Sequence, residues 1–326
     1  MKIFLNKLLP EPGMQLLSDN NIDLIIPDNP ELSQEAWLHY CQQADAILNV
    51  GKNNFDAAFF DHCPNVKAIA LYSVGYDHVD LTEATKRKIP VGNTPDVLSK
   101  ATSDTAFLLM QSVARRASFN FRRIPNGEWN PTFDPTANLG QELYGKTLGI
   151  YGLGRIGLHL AQTAKNAFRM EIIYHNRHQN QAAEKTVNAR YVSFEELITQ
   201  SDVISVHANY TEDQHELFNA AVFRQMKPTA IFINTARGGF HNEQDLYNAI
   251  VQGYIWGAGM DVTNPEPMNP SSPLLDLPTV CIFPHIGSAT TEARNGMARV
   301  AATNIIAFVN GEKMPFAVNN AVYEAI

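Results

Sequence analysis

A chain of 326 residues, 45% apolar and 18% charged, is long enough for two domains with a core each, and its composition is globular rather than disordered or fibrous. The net charge of −8 leaves no basic footprint for a nucleic-acid backbone. Cys41, Cys63 and Cys281 are odd in number and widely spaced, which excludes a disulfide framework and a cysteine zinc site. The amino terminus, "MKIFLNKLLPEP", reaches Pro10 without the apolar stretch of a signal peptide, and no run approaches the ~20 apolar residues that cross a bilayer. A cytoplasmic protein in a reducing compartment is expected, with no membrane or nucleic-acid partner.

The first hundred residues alternate apolar runs, "KIFL", "IDLII", "DAILN" and "VKAIAL", with helical segments such as "SQEAWLHYCQQ" and "DAAFFDHC". That alternation predicts a parallel sheet covered by helices. Ser99 to Arg123 contains no proline or glycine and predicts one helix of six or seven turns. Its stretch Ala106 to Met110 is apolar all round and must be covered from more than one direction, as a central core helix or as a subunit interface. Pro125 to Tyr144, punctuated by proline, glycine and asparagine, reads as an irregular arm.

A second series of strands follows Lys146: "TLGIYG", "EIIYH", "DVISVH", "AIFINT", "WGAGMDV" and "TVCIFPH". The fold class is therefore α/β with two doubly wound domains. "SATTEARNGMARVAATNIIAFVNG" predicts a further amphipathic helix after the last strand, placed to fold back onto the first domain. Internal repeats and low-complexity tracts are absent from the sequence.

Gly152, Gly154 and Gly157 stand in GxGxxG spacing between the strand "TLGIY" and a helical pattern carrying Ile156, Leu160 and Ala164. In that context the first glycine permits the tight turn, the second admits a pyrophosphate to the backbone, and the third lets helix and strand pack closely. The helix amino terminus then offers N–H groups and a positive dipole to the phosphates. In such folds an Asp or Glu after the next strand holds the ribose hydroxyls of NAD. Here "EIIYHNRHQNQ" places Asn176 and Arg177 there, flanked by His175 and His178, and no acid occurs until Glu184. An arginine suits the extra phosphate of NADP, so NADPH is expected to be preferred, with NADH a usable second cofactor. The alternative for Arg177 is a solvated side chain or a pair with Glu184.

Arg237, Glu266 and His285 fall in loops after successive strands, in "AIFINTARGG", "WGAGMDVTNPEPMNP" and "VCIFPHIGSAT", where ligands bind in open α/β sheets; Asp261 sits at the end of the second of these strands. Reducing a ketone needs a hydride at carbon and a proton at oxygen, and histidine supplies a proton near neutrality. Glu266 would orient His285 through the far ring nitrogen, and the planar fork of Arg237 would grip a carboxylate and polarise the adjacent carbonyl. Taken singly, Arg237 could make a surface ion pair, Glu266 could be solvated and His285 could be a satisfied histidine. Their gathering at three strand ends beside a dinucleotide motif favours the catalytic assignment. The other histidines, His78, His207 and His241 among them, lack this combination, and without HExxH no metal is expected.

The motifs "SVGYDHVDL", "VGNTPDVLSKATSDTAF", "GIYGLGRIG", "INTARGG", "GAGMDVTNPEP" and "PHIGSAT" run through nearly the whole chain, which resembles the D-isomer-specific 2-hydroxyacid dehydrogenases, and within them the glyoxylate/hydroxypyruvate reductase branch. The resemblance implies a Rossmann-type cofactor domain, residues 99–286, inserted in a flavodoxin-like substrate domain, residues 1–98 and 287–326, with hinge crossings near Thr94 and Gly287 and the site in the cleft between them. It implies Arg237, Glu266 and His285 as the catalytic set and backbone N–H groups of Val74 and Gly75 on the substrate carboxylate. It also implies cofactor contacts from Leu153, Gly154, Arg155, Ile156, Thr235 and Asp261, and a homodimer whose arm, with Trp129, approaches the partner. Glutamate rather than glutamine at 266 disfavours formate oxidation, and the chain stops at Ile326 without the regulatory extension of many phosphoglycerate dehydrogenases. The expected activity is NAD(P)H-dependent reduction of small 2-oxo acids such as glyoxylate and hydroxypyruvate. The alternatives are a 2-ketogluconate-type sugar-acid reductase and a dinucleotide-sensing co-repressor.

Overall fold

The computed structural model describes residues 1–129 and 132–324. Asn130 and Pro131 of the expected arm, and Ala325 and Ile326 of the expected substrate domain, lie outside the described residues. The chain divides into two compact units, 1–98 with 289–326, and 99–288.

In the first unit, β1 (Lys2–Leu5), β2 (Asp23–Ile25), β3 (Ala46–Asn49), β4 (Ile69–Leu71) and β5 (Val91–Gly92) form a parallel sheet in the order β2-β1-β3-β4-β5. This is the flavodoxin-like order. Between the strands run α1 (Glu11–Asp19), α2 (Gln34–Gln42), α3 (Ala57–His62) and α4 (Leu81–Lys86). The starts of α2, α3 and α4 are fixed by Ser33, Asp56 and Asp80, whose side chains each accept a backbone N–H of the first turn. Aromatic packing dominates the core, with Trp37, Phe55 and Phe59 in mutual ring contact. The closing helix Thr291–Val309, α12 below, packs on α1 and on β3 and β4. Its buried Asn304 donates to the Asn93 carbonyl and accepts the Phe316 N–H, tying β5 to the carboxyl-terminal tail.

The second unit opens with α5 (Ser99–Ala114) and α6 (Ala117–Arg123). The single long helix expected over 99–123 is therefore corrected to two. Arg116 takes a left-handed backbone, φ 53°, and its guanidinium stacks over Trp256 at 4.8 Å from the ring centroid. Gln141 N–H reaches the Ala114 carbonyl at 2.8 Å and the Trp256 indole points at that of Val113. Contacts from distant segments thus use the carbonyls that another helical turn would need. In the run Ala106 to Met110, Ala106, Leu109 and Met110 are buried, but Leu108 is 49% exposed.

The strands β6 (Thr147–Tyr151), β7 (Glu171–His175), β8 (Arg190–Tyr191), β9 (Val203–Val206), β10 (Ile231–Asn234), β11 (Gly257–Met260) and β12 (Val280–Ile282) form a parallel sheet ordered β12-β11-β10-β9-β6-β7-β8. The direction of growth reverses between β6 and β9, which is the Rossmann pattern with its ligand-binding switch point. One face is covered by α5, α7 (Arg155–Phe168) and α8 (Gln181–Val187), the other by α9 (Phe194–Gln200), α10 (Ala220–Phe223) and α11 (Glu243–Val251), each with its own apolar core. β5 and β8, two residues long each, were not expected from the sequence.

The return to the first unit falls after Ser288 rather than at the expected residue 287. Both carboxylate oxygens of Asp261 accept backbone N–H groups, from Ile286 and Gly287, each at 2.7 Å, so that stretch of chain is held to the end of β11. Among the described residues no helix is long and apolar enough to cross a membrane, and no group of acids, histidines and cysteines is arranged to hold a metal. The three cysteines are buried free thiols.

Candidate active site

The glycine-rich turn leaves β6 with Gly152 at φ +100°, where a side chain would also strike the Ala208 backbone at 2.4 Å. A Cβ at Gly157 would lie 2.7 Å from the Gly152 carbonyl, so that glycine lets α7 sit on the turn. Gly154 differs: a Cβ there would meet nothing within 4 Å. Packing does not require glycine at 154, whereas close approach of a ligand to the backbone does. Gly154 is also the N-cap of α7 and supplies no side-chain cap, so the first-turn N–H groups at Arg155, Ile156 and Gly157 are not bonded by a capping side chain. These residues fit a dinucleotide pyrophosphate.

The turn after β7 is built differently from its simplest reading. Asn176 points inward: its side-chain carbonyl accepts the Leu153 N–H at 2.6 Å and its amide approaches the Leu153 carbonyl, which Asn180 also bonds at 2.9 Å. Asn176 and Asn180 thereby brace the glycine-rich turn, and no motif in the sequence marks Asn180 for that role. His175 is not a donor toward the turn through Nδ1, because that nitrogen donates to the Val192 carbonyl at 2.9 Å and the ring is stacked between Tyr151 and Tyr191. Arg177 and His178 are exposed. The carboxylate of Glu184 is engaged by Tyr174 and Gln179, and among the described residues Arg177 makes no ion pair with it.

Beyond β10, the buried Asn234 organises the loop that carries Arg237. Its Oδ1 accepts the Ala236 N–H at 3.0 Å, and its Nδ2 donates to the Arg237 carbonyl at 2.7 Å and to His241 Nδ1 at 3.1 Å. Arg237 is half-buried, and its Nη1 donates to the Ala236 carbonyl at 2.8 Å. Gly238 presses on the loop after β11: a Cβ there would stand 2.0 Å from the Thr263 carbonyl. Thr235 is buried, with its hydroxyl 3.4 Å from His207 Nδ1, and His207 Nε2 lies 2.8 Å from Ser205 Oγ. Burial pushes the His207 imidazole down to about 3, so this ring is neutral in the working range.

The loop after β11 brings Glu266 to His285. Glu266 lies between Pro265 and Pro267, and Glu243 at the start of α11 anchors the loop by accepting the Asn264 N–H at 2.8 Å. His285, in a left-handed backbone conformation at φ 55°, donates from Nδ1 to Glu266 Oε1 at 2.5 Å. With Nδ1 committed to a carboxylate, Nε2 is the ring nitrogen left to exchange a proton with a ligand. Asp261, two per cent exposed, lies within electrostatic reach of both; burial raises its pKa, opposed by the N–H groups of Ile286 and Gly287 and by His285.

In the first unit, the Ser73 carbonyl accepts the Thr94 N–H at 2.9 Å and the Val74 carbonyl accepts from Asn93 Nδ2 at 2.8 Å. Because C=O and N–H point oppositely across a trans peptide, these bonds fix the directions of the N–H groups of Val74 and Gly75. Nothing in the spacing of "SVGYDH" disclosed Asn93 and Thr94 as their supports.

Residues 107–287 match the model of the D-isomer specific 2-hydroxyacid dehydrogenase, NAD binding domain. The chain is 41% identical over 324 residues to a glyoxylate reductase of Thermococcus litoralis, covering 98% of this chain and 97% of that protein. The fold is similar to the crystal structure of a glyoxylate reductase from Paecilomyes thermophila, with a TM-score of 0.87 and 31% identity over 98% of each chain. It is also similar to an NADPH-dependent glyoxylate/hydroxypyruvate reductase from Sinorhizobium meliloti in complex with NADP and malonate, with a TM-score of 0.84, 27% identity, and coverage of 100% and 99% of the two chains. The sequence motifs, the two parallel sheets and these similarities agree, and the chain belongs to the D-isomer specific 2-hydroxyacid dehydrogenases.

Proposed function

We propose that this protein reduces small 2-oxo acids, glyoxylate and hydroxypyruvate foremost, to the corresponding 2-hydroxy acids, with NADPH preferred to NADH. The observation that carries the mechanism is the 2.5 Å contact between His285 Nδ1 and Glu266 Oε1. It holds the imidazole in one orientation and leaves Nε2 as the proton donor to the carbonyl oxygen of the substrate. Arg237 binds the carboxylate of the 2-oxo acid and polarises its keto oxygen, and the N–H groups of Val74 and Gly75 bind the same carboxylate.

A bound nicotinamide cofactor would supply the hydride for the keto carbon. Gly152 to Gly157 and the first turn of α7 would hold its pyrophosphate, Thr235 and Asp261 would lie on the nicotinamide side, and Arg177 would receive the adenosine 2′-phosphate. Exposure of Arg177, the absence of an acid beside it, and the NADPH dependence of the Sinorhizobium relative support the preference. A homodimer accompanies this assignment: Leu108 and the arm side chains Trp129, 74% exposed, and Phe133, 87% exposed, offer apolar surface for a second copy.

The test is a steady-state panel of 2-oxo acids, including glyoxylate, hydroxypyruvate and 2-ketogluconate, with each cofactor. Highest kcat/KM with glyoxylate or hydroxypyruvate and NADPH is expected. Dominant 2-ketogluconate reduction, or saturable NADPH binding without turnover, refutes the proposal.

A further inference from the structure

His241 sits just after the Arg237 loop and is 1% exposed. Its Nδ1 faces the Asn234 amide at 3.1 Å, and its Nε2 is buried without a hydrogen-bond partner. The orientation of that amide is unambiguous. Turned over, Asn234 would set its N–H groups against the Ala236 N–H and its oxygen against the Arg237 carbonyl. In the observed orientation both amide hydrogens are used, one on Arg237 and one on His241, and Nδ1 must be the acceptor. The proton of the neutral ring is then on Nε2, the buried nitrogen.

A buried donor without a partner is destabilising, and an aliphatic side chain at 241 would avoid it. What the aliphatic side chain would forfeit is the acceptor for the second hydrogen of Asn234. That amide holds the peptide groups on both sides of the 236–237 peptide, through the Ala236 N–H and the Arg237 carbonyl. The carbonyl of the 236–237 peptide is the group that receives the Arg237 guanidinium. Rotation of the Asn234 side chain would therefore release the peptide that aims Arg237.

We propose that His241 is a positioning residue for substrate binding: a buried imidazole whose Nδ1 locks the Asn234 amide and so fixes the loop that presents Arg237 to the carboxylate of a 2-oxo acid. This rests on the carboxylate-binding role given to Arg237 above. Burial keeps the ring neutral, with its pKa pushed down to about 4. The Phe232 ring, at 5.7 Å between centroids, is the aromatic neighbour against which the imidazole is packed.

The chemistry of the acceptor makes the role testable with three substitutions. Asparagine places its side-chain oxygen near the position of imidazole Nδ1, glutamine places it near Nε2, and leucine has none. For glyoxylate and NADPH, His241→Leu is expected to lose about 3- to 10-fold in kcat/KM, chiefly through a raised glyoxylate KM, the scale of one net hydrogen bond. His241→Gln should fall with it, His241→Asn should remain near wild type, and the NADPH dissociation constant, measured by fluorescence, should be unchanged in all three. The Gln and Asn variants keep the test decisive should the Leu variant fail to fold. Equal losses in the Asn and Gln variants, or a loss equally visible in NADPH binding, would overturn the positioning role. An Arg237→Ala control separates the two levels: an unchanged glyoxylate KM there overturns the carboxylate assignment together with the inference. A raised KM there with unaltered Leu and Gln variants overturns the inference alone.

Discussion

His241 also makes the stability of the protein sensitive to acid in a calculable way. In the unfolded chain its imidazole has the ordinary value of 6.5, and in the folded protein burial holds it at about 4. Between those values the unfolded state binds a proton that the folded state refuses, so stability is full above pH 6.5 and falls as the pH drops toward 4. At 1.36 kcal/mol per pH unit, the contribution lost is about 1.4 kcal/mol at pH 5.5 and about 3 kcal/mol by pH 4. His207 acts with the same sign but is common to wild type and a His241→Leu variant, so its effect cancels between them. Urea unfolding of wild type and His241→Leu at pH 7.5 and pH 5.5 measures the difference. The variant gives up the Asn234 bond at both pH values, which shifts both of its stabilities without changing their separation. Wild type should lose about 1.4 kcal/mol more than the variant over that interval. Equal losses in the two proteins would show that His241 protonates as readily folded as unfolded, and the burial argument would fail.

Replacing Arg177 with Ala should weaken NADPH by roughly 10- to 150-fold, the worth of one charge-assisted bond, and NADH far less, as read from kcat/KM with each cofactor; equal losses would remove the phosphate from this turn. His285→Ala should lower kcat by about 10²- to 10⁴-fold with NADPH binding retained in a fluorescence titration, and near-normal turnover would exclude His285 as the proton donor. Gly154→Ala, whose methyl enters open space, should fold normally in a thermal scan yet bind NADPH poorly, whereas Gly157→Ala, 2.7 Å from a carbonyl, should lower the melting temperature. The opposite pattern would mean that ligand approach does not select glycine at 154.

What the sequence disclosed was local, and what it concealed was set by distant contacts. Gly152 and Gly157 could be recognised because their requirements, a positive φ and a close helix–strand approach, belong to one turn. Glu266 and His285 could be paired because they follow adjacent strands of a parallel sheet, so topology alone brings them to one edge. The break of the first long helix could not be read from residues 99–123, which favour a helix throughout. It is caused by Trp256 and Gln141, far along the chain. Asn176 looked like a ligand contact because its position is diagnostic, yet its amide is turned toward Leu153. In the sequence His241 lacks the combination that marks His285, and only the Asn234 amide facing it reveals what it accepts. β5 and β8 are too short for any periodicity to register.

The interrupted first unit has a consequence for how the protein is made. Its five strands have emerged by residue 92, but α12, which packs on α1, β3 and β4 and carries the Asn304 bonds to β5 and the tail, is encoded beyond Ser288. At roughly 5–20 residues per second, synthesis of Ser99–Ser288 takes on the order of 10–40 s. During that interval the amino-terminal sheet stands on the ribosome without the helix that covers part of one face, and at its end the inserted unit is complete while the first unit is not. The order of folding is thus inverted relative to the order of synthesis. Chains stalled near residue 288 should be cut by protease within residues 1–98 and resist within the inserted unit.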